Sequence, residues 1–352
     1  MKVMFEKDDQ EKTFVIAEAG ANHDRNLQQA YQLIKVAADA GADAVKFQTY
    51  SSETLYSKFT PDFAGYKKIP ELIKSIELPR EWHSDLKKCC DDHGIEFMST
   101  PFDLPAIDQL FELGVKRLKI SGFEATDPRI VRHAAKTGLP LIITKGIGCD
   151  VVTVGKIIDH ILKENSAPDV TFLHGNNAYP TPHEEAYLDT ITTLRKMKYQ
   201  IPIKVGLSDH TEGVVIPPLA VMLGAQVIEK HFTISRKLEG PDHPFAVEPN
   251  ELKEMVRNIR IAERARGTKP GTSESEKPFS SAKRSLVVLA DIKKGETLTF
   301  DNITTKRPAI SGCVSARDYY DMLENGNIVA TKDLEQDKIL VWNDITTRGL
   351  LG

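Results

Sequence analysis

The sequence predicts an eight-stranded parallel (β/α)8 barrel followed by a small β-rich domain. Eight short strand-like runs alternate with helix-compatible segments over about the first 250 residues, which is the layout of this barrel class. Beyond residue 267 this pattern stops, and a stretch rich in Gly, Pro, Ser and charged residues takes its place. We therefore expect a barrel over residues 1–267, a linker over 268–280 and a β-rich domain over 281–352.

The strand-like runs are short and apolar, as expected of parallel strands that are buried on both faces. The first run is residues 14–20. A helix follows it, with Leu27, Tyr31, Ile34 and Ala38 on one face and Gly41 at its end. The other runs are residues 44–48, 96–99, 116–120, 140–144, 170–174, 202–207 and 226–230. Helices are also predicted over residues 127–137, 250–266 and 212–223, the last one starting at its Pro-Pro pair.

An aromatic-rich segment, residues 50–79, is longer than an ordinary βα loop. It carries Tyr50, Tyr56, Phe59, Phe63 and Tyr66. These side chains either lean over the mouth of the barrel or serve ordinary loop packing.

Composition excludes several classes of function. The 352 residues carry a formal charge of −4, which argues against nucleic acid as the main partner, because phosphate backbones recruit basic surfaces. The four cysteines show no CxxC spacing and two of them are adjacent, so a reducing cytoplasm is expected. No apolar run is long enough to span a membrane, and no apolar N-terminal signal is present.

Two histidines predict a metal site. His210 and His231 each follow a short apolar run late in the alternation, and neighbouring parallel strands would deliver both imidazoles to the same rim. Imidazole suits a borderline divalent cation, and two protein ligands leave its coordination shell incomplete. An open shell is what a metal needs to polarise a substrate oxygen.

Other polar residues also stand where strands end. Lys46, Lys119, Thr100 and Ser208 would supply two cations and two hydroxyls, a suitable cradle for a phosphate or carboxylate. For each residue alone, a surface ion pair or a strand-end cap is the alternative.

Acid or base chemistry has two candidates, Glu18 and Glu124. A buried salt bridge to Lys46 or Lys119 is the alternative for both carboxylates. Among the remaining histidines, His23 is kept as a residue that could line the site.

Together, the motifs AEAGANHD, VKFQTY, MSTPFD, KISGFE, LHGNNAYPTP, GLSDHTEG, GAQVIEKHFT, GPDHPF, KRSL and TKRPA resemble the sialic acid synthase family. The similarity covers nearly the whole chain, including a C-terminal antifreeze-like (SAF) domain. It implies condensation of phosphoenolpyruvate with an open-chain N-acylated hexosamine, giving a nine-carbon 2-keto-3-deoxy acid and phosphate.

The resemblance also implies roles for individual residues. A divalent metal, Mn²⁺ or Mg²⁺, would be held by His210 and His231. Phosphoenolpyruvate would be held by Lys46, Thr100, Lys119 and Ser208. The sugar would face Glu18, Gln48, Asn177, Tyr179 and Asp242, and Glu124 would lie between the two substrates. Arg307 matches an arginine that reaches the partner subunit's sugar pocket in the family, which requires a domain-exchanged homodimer.

Several positions depart from the family pattern. Gly175 and Asn176 replace a cysteine and a small hydroxyl residue. Ser121 is displaced by one position, with Gly122 behind it. Lys145 adds a cation near the expected phosphate subsite, and Ala309 replaces a glycine. These changes affect the identity of the substrate more than the class of reaction.

Three interpretations of function remain open at this stage. The KISGFE and PREWH stretches favour pseudaminic acid or spore-coat polysaccharide synthases over the N-acetylneuraminate enzyme. A second interpretation is a 3-deoxy-ulosonate synthase that acts on another, phosphorylated or shorter aldose. The third is a non-catalytic sugar-binding or ice-binding protein, which the paired histidines, lysines and glutamates argue against.

Overall fold

The computed structural model describes residues 12–147, 151–267, 271–324 and 327–348. Cys149 and the first three residues of the expected linker, 268–270, lie outside the described residues. The chain divides into two compact units, with the change from one to the other between Arg266 and Gly267.

The first unit is built on eight parallel strands in the order β3-β2-β1-β8-β7-β6-β5-β4, and β3 and β4 lie side by side, so the sheet nearly closes. This confirms the predicted barrel. The strands are β1 (Phe14–Gly20), β2 (Ala44–Thr49), β3 (Glu96–Pro101), β4 (Leu118–Ile120), β5 (Leu141–Lys145), β6 (Val170–Gly175), β7 (Lys204–Asp209) and β8 (Val227–His231).

Helices follow the strands and pack around them. They are α1 (Leu27–Ala40), α2 (Ser52–Leu55), α3 (Ile69–Ser75), α4 (His83–Asp92), α5 (Leu104–Glu112), α6 (Pro128–Lys136), α7 (Val151–Leu162), α8 (Asp189–Lys196), α9 (Ile216–Met222) and α10 (Pro249–Ala265). The predicted helices at 127–137, 212–223 and 250–266 correspond to α6, α9 and α10. Among the described residues, no helix combines the length and apolar character needed to span a bilayer.

Helix α1 packs against the core with the predicted apolar residues and with smaller ones beside them. Of the four residues predicted to share a face, Ile34 is buried, and Leu27, Tyr31 and Ala38 are partly buried and pack against the core. The other buried residues are Ala30, Leu33, Ala37 and Ala40. The helix ends as predicted, because Gly41 adopts a left-handed conformation with φ of 82°.

Side chains alternate between two cores along the barrel strands. A large cluster lies between strands and helices, and a small one fills the barrel interior with Ile16, Ala44, Met98, Ile142, Leu173 and Val227. Since side chains two residues apart share a face of a strand, the residues two positions further along also point inward. Those residues are Glu18, Lys46, Thr100, Thr144, Gly175 and Glu229. The barrel interior is therefore apolar toward the amino ends of the strands and polar toward their carboxyl ends.

The second unit is small and β-rich, as predicted. It contains two antiparallel pairs, β9 (Ser285–Val288) with β10 (Ile303–Lys306), and β11 (Ile328–Ala330) with β12 (Ile345–Thr347). A short helix, α11 (Tyr319–Glu324), precedes β11. Leu286, Val288, Ile303 and Leu340 contribute to its own apolar core. Residues Glu274–Ala282, which begin in the expected linker and extend two residues beyond it, form a run of 3-10 turns.

Candidate active site

A cavity of about 580 Å³ opens at the carboxyl end of the barrel strands. It brings together most of the residues predicted for the site, namely Glu18, Lys46, Gln48, Thr100, Lys119, Asn177, Tyr179, Ser208, His210, His231 and Asp242. Side chains at the ends of different parallel strands converge on one face of such a barrel, which explains why residues so far apart in sequence line one cavity.

Lys46 is held by three neighbours at the floor of the cavity. Its ammonium donates to Thr100 Oγ1 at 2.8 Å and lies 2.8 Å from Glu18 Oε2 and 3.5 Å from Glu229 Oε2. Glu18 and Lys46 are directly opposite each other on β1 and β2. For Glu18, the salt bridge considered as an alternative is therefore present. The Gln48 amide donates to the other Glu18 oxygen at 2.8 Å.

Glu229 lies at the centre of the predicted anion cradle, although the sequence interpretation did not include it. Its Oε1 accepts a hydrogen bond from Ser208 Oγ at 2.8 Å and lies 3.2 Å from Lys119 Nζ. Glu229 precedes His231 by two residues on β8, so both point into the barrel. That spacing was the signal in the sequence, because the intervening Lys230 points outward and pairs with Asp209 at 2.6 Å.

Burial and neighbouring charges have opposite effects on the pKa values of the carboxylates and lysines at the cavity floor. Burial raises the pKa of Glu18 to about 7, against the lowering effect of Lys46. Burial alone would also raise the pKa of Glu229, but Lys119 and Lys46 hold it well below its usual value. Burial lowers the pKa of Lys119. For Lys46, burial is outweighed by Glu18 and Glu229, which raise its pKa. The two carboxylates therefore differ in how readily they take up a proton.

The two histidines fit a divalent cation. Their ring centroids are 5.5 Å apart, and burial lowers the pKa of His210 to about 4 and that of His231 well below its usual value, so both are neutral at pH 7. His210 Nδ1 donates to the Asn176 carbonyl at 2.5 Å, which leaves Nε2 with a free lone pair. His231 Nδ1 is buried without a hydrogen-bond partner. Neutral imidazoles with unused lone pairs are suitable metal ligands.

The described residues offer no cluster of three or more His, Cys, Asp and Glu side chains that could hold a metal. Asp242 lies beside one of the two histidines, with Oδ2 at 3.8 Å from His231 Nδ1. It also accepts from the backbone N–H of Ala21 at 3.1 Å. Gly20 allows this approach, because it has φ of +52° and a Cβ there would lie 2.5 Å from Asp242 Oδ2.

The loops after β4 and β5 touch through glycines. A Cβ on Gly122 would lie 2.6 Å from the Gly146 Cα atom, and one on Gly146 would lie 2.7 Å from Asn177 Oδ1. Beside this contact, Ser121 Oγ donates to Glu124 Oε2. Glu124 is buried, and burial raises its pKa. Glu124 does not line the cavity itself, whereas Ser121, Gly122 and Phe123 do.

The remaining predicted residues divide between the cavity and other places. The ring of Tyr179 lies 4.3 Å from that of His210, between centroids, and Asn177 Oδ1 accepts from the backbone N–H of Ile147 at 3.1 Å. Arg307 is exposed and follows β10 in the second unit.

Two expectations about cavity residues were wrong. His23 is buried but packs against Phe47 and Trp82 instead of lining the cavity. Lys145 lies on the outward-facing side of β5 next to His174, because the preceding residue, Thr144, takes the inward position.

The segment 50–79 forms an apolar wall of the cavity. Four of its five predicted aromatics, Tyr50, Tyr56, Phe63 and Tyr66, line the cavity, whereas Phe59 is 81% exposed and does not. Leu55, Ile69, Leu72, Ile73 and Ile76 complete this wall. The segment therefore does lean over the mouth, and the cavity combines a charged floor with an apolar side.

Comparisons with known proteins show the family to which the chain belongs. The NeuB family matches residues 33–270 and the SAF domain matches residues 283–346. The chain is 40% identical over 350 residues to an N,N'-diacetyllegionaminic acid synthase of Legionella pneumophila, covering 94% of each chain. It is 37% identical over 332 residues to a pseudaminic acid synthase of Campylobacter jejuni, covering 92% of this chain and 94% of the relative.

A solved structure shows the same likeness. The N-acetylneuraminic acid synthetase of Leptospira borgpetersenii, in complex with citrate, superposes with a TM-score of 0.69 at 34% identity, covering 76% of this chain and 90% of that one. The fold and the polar mouth define a (β/α)8-barrel enzyme that carries a C-terminal SAF domain. The chain belongs to the NeuB family, and it is an enzyme of the acid-synthase kind.

Proposed function

We propose that this enzyme condenses phosphoenolpyruvate with the open-chain aldehyde of an N-acylated hexosamine, releasing phosphate and a nine-carbon 2-keto-3-deoxy acid. The observation that carries the proposal is the arrangement of charged and metal-ligating side chains in the cavity. Two lysines, two hydroxyls and the carboxylates of Glu18 and Glu229 form a charged floor, and two neutral histidines lie at the ends of neighbouring strands beside it. The names of the relatives support an acylated sugar acid as product.

The floor suits phosphoenolpyruvate, which carries a phosphate and a carboxylate at one end. Lys46 and Lys119 would each pair with one anionic group. The Thr100 hydroxyl accepts from Lys46 and would donate its own proton to the substrate. The Ser208 hydroxyl donates to Glu229 and would have to turn away from that carboxylate to do the same. Charge-assisted contacts of this kind are stronger than neutral ones, particularly in a cavity that excludes water.

Chemistry would start at C3 of phosphoenolpyruvate. A carbon–carbon bond would form between C3 and the sugar aldehyde carbon as the C2=C3 double bond opens, and the aldehyde oxygen would take up a proton. Water would add at C2 and lose one proton, which replaces the one taken up by the aldehyde oxygen. The new C2 hydroxyl would then pass its proton to the phosphate as the C2–O bond breaks, so that C2 becomes a carbonyl and phosphate leaves with the electron pair. Glu124 does not line the cavity, so it would act through Ser121, which does line it and donates to Glu124 Oε2. Through this hydroxyl the carboxylate would stabilise the positive charge that develops at C2 and take up the proton lost by water, and burial, which raises the pKa of Glu124, favours that uptake.

His210 and His231 would hold the divalent cation, Mn²⁺ or Mg²⁺, which when bound supplies Lewis-acid polarisation of the aldehyde. The protein's own contribution is orientation. The Asn176 carbonyl fixes the His210 ring through Nδ1, and Gly20 allows Asp242 to approach the His231 ring.

The sugar would lie between the histidines and the apolar wall. Glu18, Gln48, Asn177, Tyr179 and Asp242 would face its hydroxyl and amide groups, and the wall would contact its acyl methyl groups. Apolar surface of this kind favours acylated sugars over phosphorylated aldoses, because a phosphate would lose its hydration there without gaining a partner.

We further propose a domain-exchanged homodimer, in which Arg307 reaches the sugar of the partner subunit's barrel. Its exposure and its position after β10 leave the guanidinium available for such a contact. The enzyme would work in the cytoplasm, where phosphoenolpyruvate is made.

A single assay tests the reaction. Phosphate release is measured with phosphoenolpyruvate and a panel of N-acetylmannosamine, diacetylated 6-deoxy amino sugars and phosphorylated aldoses, each with Mn²⁺ or Mg²⁺. Release with at least one acylated amino sugar, with the nine-carbon acid seen by mass spectrometry, is the expected result. Release only with phosphorylated aldoses would replace the proposal by a 3-deoxy-ulosonate phosphate synthase, and no release with any sugar would favour a binding protein.

A further inference from the structure

Glu229 has no part in the reaction as proposed, yet it lies at the centre of the floor. It is 3% exposed. Its carboxylate lies within 3.5 Å of polar atoms of Lys46, Lys119 and Ser208. These are three of the four residues assigned to phosphoenolpyruvate, and Thr100, the fourth, is bonded to Lys46. One carboxylate therefore connects the whole cradle.

The two lysines depend on Glu229 to different extents. Lys46 also contacts Glu18 and Thr100, so its ammonium is fixed from several sides. For Lys119, Glu229 is the one carboxylate within 4.0 Å of Nζ in the part of the chain that the structure describes. Two ammonium groups that share a buried site repel each other. Without Glu229, the flexible Lys119 side chain would move away from Lys46.

From this geometry we infer that Glu229 is a positioning residue, which holds the Lys46 and Lys119 ammonium groups at a fixed separation before phosphoenolpyruvate binds. This inference rests on the proposed function, because the fixed separation matters only if both lysines grip one substrate. A fixed separation of the two ammonium groups would orient C3 of phosphoenolpyruvate toward the sugar aldehyde. Loss of that separation should therefore reduce the rate of the reaction more than the affinity for phosphoenolpyruvate.

Replacement of Glu229 by Gln tests the inference, since the amide keeps the shape and loses the charge. We expect kcat to fall about a hundredfold, the size of effect that a misplacement of about 1 Å produces. The dissociation constant for phosphoenolpyruvate, titrated calorimetrically without sugar, should change much less than kcat, because removal of a negative charge beside an anion offsets the weaker contact from the displaced Lys119. A crystal structure of the variant should show Lys119 Nζ displaced.

A matched control is Glu96→Gln. Glu96 begins β3 at the opposite end of the barrel and forms a two-pronged ion pair with Arg117 at 2.7 and 3.1 Å. This variant should lose stability without losing kcat, whereas a purely structural role for Glu229 would make the two variants alike. Should Glu229→Gln fail to fold, Glu229→Asp replaces it, with kcat expected about tenfold below wild type while phosphoenolpyruvate binding remains intact.

Three results would overturn the inference: a kcat within about threefold of wild type, a loss of phosphoenolpyruvate affinity that accounts for the whole kinetic defect, or an unmoved Lys119 ammonium in the variant structure. Failure of the proposed function looks different. In that case the wild type itself releases no phosphate with any sugar, and the crystal structure of the variant, which needs no substrate, still decides whether Glu229 positions Lys119.

Discussion

Replacement of Lys119 by alanine is the most informative test of the phosphoenolpyruvate cradle. The ammonium is buried and faces the cavity, and among the described residues Glu229 is its one ion-pair partner. The change removes one charge-assisted contact to the substrate, worth roughly 1.5 to 3 kcal/mol. At about 1.4 kcal/mol for each factor of ten, the KM for phosphoenolpyruvate should rise about 10-fold to 150-fold. The KM for the sugar should change much less.

Replacement of Lys119 is a cleaner test than replacement of Lys46, because the two changes remove the partners of different buried carboxylates. Without Lys119, Glu229 still has Lys46 and Ser208 as partners. Without Lys46, Glu18 loses its 2.8 Å ion pair while fully buried, and breaking such a pair costs about 3 to 5 kcal/mol of stability.

Steady-state phosphate release at varied phosphoenolpyruvate, with urea denaturation as a folding check, measures the effect. A folded Lys119→Ala enzyme with an unchanged KM for phosphoenolpyruvate would show that the anion binds elsewhere. Lys145 would be a poor replacement, because its side chain does not line the cavity.

Three further predictions follow from the site and its loops. Chelation, or His231→Ala, should abolish activity with the fold intact; full turnover after chelation would refute the metal role. Arg307→Ala and His231→Ala subunits, each inactive alone, should recover up to about a quarter of wild-type activity when mixed, and no recovery despite subunit exchange would refute the exchanged dimer. Gly122→Ala should cost about 1 to 3 kcal/mol in urea denaturation, because its Cβ would meet Gly146 at 2.6 Å. The matched Gly155→Ala lies in α7 with open space around it and should instead stabilise the protein by up to about 1 kcal/mol, because alanine is the better helix former. Equal stability of the two variants would contradict the contact.

The barrel was predictable because parallel strands buried on both faces leave apolar runs of recognisable length. The eight predicted runs match the observed strands to within two residues at each end, with the largest shift at β7, which begins at Lys204 after Pro202 and Ile203. The predicted face of α1 is part of what the helix buries. Ala30, Ala37 and Ala40 are buried as well, and they were not predicted because alanine carries too little apolar surface to stand out in a periodic pattern.

The residues that line the cavity were largely predictable as a set, but the contacts between them were not. Motif similarity indicated Lys46, Lys119 and Ser208, yet register decides which side chains meet. Glu18 stands opposite Lys46, and Ser208 opposite Glu229. Cross-strand register depends on how the strands stagger around the barrel. The alternation within VIEKH could still have revealed Glu229, which shares its inward face with His231.

That alternation limits how strand β8 can vary in length. Val227, Glu229 and His231 point inward, and Lys230 points outward to Asp209. Deleting one residue between Val227 and His231 would reverse the faces beyond the deletion, carrying the histidine toward the helices and breaking the outer ion pair. Insertions between residues 50 and 79 would only reshape one wall of the cavity. We therefore expect relatives with different sugars to differ in length at that wall and never within β8.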